Sequence, residues 1–77
     1  MKTTFLRKRL EEMEKDSDWL ADQVGVAPVT MRQNYLRGIT PQKPVAMNIR
    51  RALKCKYSDF LHDEEMEALS VSDEKAS

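Results

Sequence analysis

Arg32 and Gln33 stand side by side in "PVTMRQNYLRG", residues 28–38. An arginine fork can pair with the major-groove edge of guanine, and a glutamine amide with that of adenine. Val29, near the start of the same stretch, has the apolar surface to meet a thymine methyl. Other chemistry is poorly provided for. His62 and Cys55 are single and lack a second ligand at metal spacing, so a structural zinc site is not expected. Asp63, Glu64, Glu65 and Glu67 cluster carboxylates, but no basic or aromatic pocket accompanies them to set acid–base roles. There is no Gly-rich phosphate loop and no Ser/His/Asp set. Neither an enzyme nor a cofactor is expected.

These residues need helices to aim them. Phe5, Leu6, Leu10 and Met13 recur at helical spacing between charged residues, which predicts a first amphipathic helix over 3–14. "KDSD" at 15–18 interrupts it, and Asp16 or Ser17 can cap a second helix carrying Leu20, Ala21 and Val24 on one face. Gly25 and Pro28 then decide between one helix and two. A single helix over 19–37 would hold both in its interior, at about 3 kcal/mol or more for the proline alone. Two helices place Gly25 at a C-terminal stop and Pro28 in a first turn, where each is tolerated. The third helix is therefore predicted from Pro28 to about Arg37, ending at Gly38.

"ITPQKP" at 39–44 reads as a loop, and Pro44 as the start of a fourth helix with Val45, Ile49, Ala52 and Leu53 inside. Arg50, Arg51 and Lys54 fall outside that stripe. "CKY" at 55–57 predicts a turn, with Ser58 or Asp59 capping a fifth helix that contains Phe60 and Leu61. Met66 and Leu69 extend a weaker pattern, and residues 70–77 read as a flexible acidic tail. The expected class is all-α, a compact five-helix domain over 1–69.

The zero net charge hides an asymmetry: residues 1–57 carry twelve Lys/Arg against six Asp/Glu, whereas 58–77 carry one Lys against seven Asp/Glu. A basic body suits an anionic partner. No run approaches the roughly 18 apolar residues of a membrane span. With one cysteine and no signal-like N-terminus, a cytoplasmic setting is the expectation.

"LADQVGV", with Ala21 and Gly25 four apart and Val26 next, resembles the central motif of lambda-repressor-like (Cro/C1, XRE-type) helix-turn-helix proteins. Leu20, Val24, Val26 and Met31 fall where that family buries apolar residues, and "IRRALKCKYSDFL" is similar to its fourth and fifth helices. The resemblance covers roughly residues 3–62. It implies a lambda-repressor-like domain with a helix-turn-helix at helices 2 and 3, the third helix entering the major groove of double-stranded DNA. A DNA-binding transcription regulator of the Cro/C1 repressor kind, found in phages and mobile elements, is the function it implies. At about 100° per residue, Met31 and Tyr35 point inward, and Val29, Gln33, Leu36 and Arg37 outward, with Thr30 and Arg32 flanking. Val29, Arg32 and Gln33 are the expected base readers; Ser17, Trp19, Thr30, Arg37 and Lys43 are expected at the DNA backbone. Leu36 is expected to pack against the fourth helix. For Trp19 a second reading stands beside phosphate contact, packing under the C-terminal tail or the first helix.

A single headpiece covers only about 600–1,000 Å² of DNA, so a homodimer on a two-fold operator is expected. Phe60, Leu61, Met66 and Leu69, within 58–69, are the expected dimerisation residues. No small-molecule ligand is expected. Ala27 and Asn34 depart from the family: Ala27 stands where a capping Ser or Thr is usual, and Asn34 where an apolar residue is usual. They leave the reading register open by one step. An antitoxin, a restriction–modification controller, or the same scaffold used as a protein-binding inhibitor are the alternatives.

Overall fold

Leu6 and Leu10, four apart, turn one side of α1 (Thr3–Glu12) into the core. Glu14 then takes a left-handed conformation, φ 58°, and the helix stops two residues before the expected end. Asp16 caps α2 (Ser17–Val24), its carboxylate accepting the Trp19 N–H at 2.8 Å. Gly25 ends α2 at φ 86°, and the N–H groups of Gly25 and Val26 both donate to the Ala21 carbonyl, at 2.9 and 3.0 Å. After this turn, α3 (Pro28–Gln33) starts with its proline in the first turn and Ala27 as an N-cap without a side-chain bond. The computed structural model describes residues 1–73, which are all-helical with six α-helices rather than five.

The predicted third helix is shorter than expected. It breaks at Asn34, and Tyr35–Arg37 form a tighter 3-10 turn that Gly38 closes at φ 106°. The break rotates Leu36 inward, to 5% exposure, where a continuous helix would have buried Tyr35. Tyr35 is half-buried, and Leu36 packs toward α1, whose Arg7 guanidinium donates to the Leu36 carbonyl at 3.0 Å.

In α4 (Lys43–Leu53), Ala46, Ile49 and Leu53 are buried, while Val45 and Ala52 flank them half-buried. Two side chains tie α4 into the molecule: the Asn48 amide donates to the Val24 carbonyl at 3.3 Å, and Arg9 Nε donates to the Leu53 carbonyl at 2.9 Å. The fifth helix splits in two, α5 (Tyr57–Phe60) and α6 (Asp63–Leu69), with Leu61 extended between them. Each half has its own start. Lys56, not Ser58 or Asp59, is the α5 N-cap, and its N–H donates to Asp59 at 3.0 Å; the His62 N–H donates to Glu65 at 3.0 Å.

Two expectations are corrected here. Phe60 and Leu61 are wholly buried, at 0% exposure, so they fill this chain's core and offer no dimer surface. Met66 and Leu69 are partly buried against the same core. Residues 71 and 73 of the expected tail are also tied to the rest of the chain. Val71 packs on the core, and Asp73 accepts the Tyr57 N–H at 2.7 Å and the Ser58 hydroxyl at 2.6 Å, closing the first turn of α5 from outside it. Residues 74–77 of that expected tail lie outside the described residues. No described helix is long and apolar enough to cross a membrane.

Candidate functional site

The α2–α3 corner is built from small and buried parts. Ala21 is fully buried, and with Leu20, Val24 and Met31 it lets the two helices meet closely. What α3 leaves outside is the functional candidate. Val29 is 47% exposed, Gln33 and Arg32 are exposed, and Thr30 is half-exposed. Gln33 closes α3, and the α-helix breaks immediately after it at Asn34.

Beside α3 lies a hollow of about 580 Å³, walled by α1, the start of α2 and the 3-10 turn. Leu10 and Leu36 line it together with Arg7, Lys15, Arg32 and Arg37, and with Ser17, Glu11 and Asp16 between them. The structure thus brings together three residues foreseen from sequence, Ser17, Arg32 and Arg37. Its cations are mostly committed within the chain. Arg7 holds the Leu36 carbonyl, and the Lys15 ammonium lies 5.5 Å from the centroid of the Trp19 ring. Arg32 Nη1 donates to Asp18 Oδ1 at 2.6 Å. The Arg37 guanidinium has no hydrogen-bond or ionic partner among the described residues, its backbone N–H alone donating, to the Asn34 carbonyl.

Other foreseen residues separate from this group. Trp19 is half-buried against the core, and the Lys15 ammonium covers its ring. Lys43 borders a different hollow, of about 170 Å³, with Met47, Tyr57 and the Ser70–Ser72 segment. It does not line the hollow that Ser17, Arg32 and Arg37 share. Among the charged residues, Arg7, Glu11 and Lys15, which line the hollow, and Asp18, which pairs with Arg32, went unforeseen. Arg7 reaches its partner across 29 positions and Arg32 across 14, separations that helical periodicity cannot register.

Cys55 is half-buried, and burial above all, with Asp59 nearby, pushes its thiol up to about 12 despite Arg9 and Arg50. It is a thiol at neutral pH and a poor nucleophile. Among the described residues no group of three or more His, Cys, Asp or Glu could hold a metal ion. No protein-family model, curated protein or solved structure matches the chain.

Proposed function

We propose that this chain is a sequence-specific double-stranded DNA-binding transcription regulator of the Cro/C1 repressor kind, with α2 and α3 as its helix-turn-helix. The observation that carries this reading is the α3 corner: an exposed Val29–Gln33 face beside a rim of Arg7, Lys15, Arg32 and Arg37. A short helix braced from behind by Met31 and ended at Asn34 leaves its outer face free to enter a major groove. In this reading Val29 and Gln33, with Thr30 at their edge, read bases. Arg32, expected beside them as a base reader, is read here with Ser17 and Arg37 as a phosphate contact, a reading supported by its pairing with Asp18 and its place in the hollow. The protein acts as a homodimer whose contact surface excludes Phe60 and Leu61; outside α3, Ile39, 52% exposed, is the large apolar side chain offered to a partner.

Selection of bound sites from a random duplex library tests the proposal. A two-fold sequence with half-site centres about 34 Å apart is expected. Failure to retain any duplex at low salt would remove DNA binding altogether and leave the protein-binding alternative.

A further inference from the structure

The hollow beside α3 presents a contradiction for a phosphate-binding rim. One of its cations, Arg32, is already paired with an anion of the chain, Asp18, at the edge of the hollow. Asp18 lies in the first turn of α2, and the neighbouring residues of that helix add Asp16 before it and Asp22 after it, with no basic residue in its last turn. Asp18 and Asp22, four apart on the helix, repel each other, which favours a cation beside Asp18. Arg32 supplies it at 2.6 Å, with both side chains about half exposed, at 52% and 61%. An exposed charge-assisted contact of this kind is held loosely enough to exchange.

We infer that Asp18 is an internal competitor for the DNA phosphate that Arg32 would bind. This rests on the DNA-binding reading above and adds regulation to the same site. In the free chain the Asp18 carboxylate occupies the Arg32 guanidinium. DNA must displace it, and the displaced Asp18 then faces a polyanion. Arg7 and Lys15 are also engaged within the chain, leaving Arg37 as the rim cation without a partner among the described residues. The arrangement holds down sequence-independent affinity, the term that phosphate contacts dominate. Access to DNA is thereby set by one carboxylate on α2, not by the number of basic residues on the surface.

The test measures binding of a fluorescent random duplex of about two helical turns by anisotropy, across a salt series, for the natural chain, Asp18→Asn, Arg32→Gln and the double variant. Asp18→Asn keeps the side chain's shape and removes its charge, and Asp18→Ser repeats the test with a residue suited to a first helical turn. Thermal melts check that each variant is folded. The expected result is a gain of about two- to fivefold for Asp18→Asn, the span of an exposed ion pair. The salt dependence should steepen by up to about one phosphate's worth. Both changes should be largely lost when Arg32 is already Gln, leaving only the small field effect of one carboxylate near the polyanion. An equal gain in both backgrounds would mean that Asp18 acts through the general field alone, and the inference falls. Binding by the natural chain with no gain in the variant sinks the inference and leaves DNA binding standing. No binding by any of the five, at low salt, sinks both.

Discussion

α3 and α5 are the two shortest α-helices of the molecule, six and four residues long, and they are used in opposite ways. α5 buries Tyr57 and Phe60, and it is fastened from outside by Asp73 and by the Lys2 ammonium on the Ser58 carbonyl at 2.9 Å. α3 buries only Met31 and spends the rest of its length outward. Neither helix would persist alone, because runs this short are marginal in water. Both borrow their stability from tertiary packing. What separates them is how many side chains each returns to the core: a helix that returns one has several left over for a partner. The same comparison explains why Phe60 is not available to a dimer contact.

The largest effect should come from breaking α5. Phe60→Ala removes a fully buried ring and is expected to cost about 3–5 kcal/mol in urea unfolding, with α3 lost in the same transition. A dimer-interface role for Phe60 would instead leave the monomer's stability intact and change only its association. Gln33→Ala tests the other helix. It should leave unfolding within about 0.5 kcal/mol of the natural chain and weaken the selected operator by about 1–3 kcal/mol, with little loss on random DNA. Arg32→Ala should weaken operator and random duplex by similar factors, because it removes a phosphate contact. A loss confined to the operator would return Arg32 to the base readers.

Sequence patterns revealed the helices whose ends carry punctuation. Asp16, Gly25, Pro28, Gly38 and Pro44 each act where their backbone chemistry puts them, and the Leu6/Leu10 and Leu20/Ala21/Val24 faces point inward as their spacing requires. Periodicity failed where a helix was too short to show a period. Nothing in "YSDFLHDEEM" marks Leu61 as the extended hinge between two helices; that depends on Asp59 and Glu65 each reaching back to a backbone N–H. The break at Asn34 was visible only as a misfit, and it exchanged Leu36 for Tyr35 in the core. Of the outward residues expected from the Met31/Tyr35 phase, Val29, Gln33 and Arg37 are exposed, but Leu36 is buried because the phase does not carry past the break at Asn34. The Asp18–Arg32 pair was not legible, since it joins two helices through a turn whose angle the sequence does not state.

Smaller effects sharpen the contrast at the helix starts. Asp16→Ala deletes the α2 cap and is expected to cost about 1 kcal/mol in thermal or urea unfolding. Ala27→Ser offers α3 the cap it lacks and should stabilise by a comparable or smaller amount, about 0.5 kcal/mol. If α3 is held only from behind, that gain should appear in global stability without altering which duplex is selected.

The smallest effect lies in the acid limb of stability, where the fastening of α5 differs from the bare start of α3. The Ser58 hydroxyl, against a small opposing effect of burial and with the Ser58 and Tyr57 N–H groups, holds Asp73 below the ordinary carboxylate range. Partial burial pushes Glu65 up, but hydrogen bonds from the His62 N–H, the Thr40 hydroxyl and the Met1 ammonium outweigh it and leave it lowered too. A carboxylate lowered on folding stabilises the folded chain at pH above its unfolded value. That contribution disappears as pH falls through its folded value, so the melting temperature should decline from about pH 4 downward. Asp73→Asn removes one of the two groups. Its melting curve should lie below that of the natural chain at pH 7 and converge with it as pH falls through the lowered Asp73 value, because protonation then undoes the same contacts. Curves that stay parallel from neutral to acid pH would mean that Asp73 adds nothing to α5. That helix would then be held by its buried rings alone.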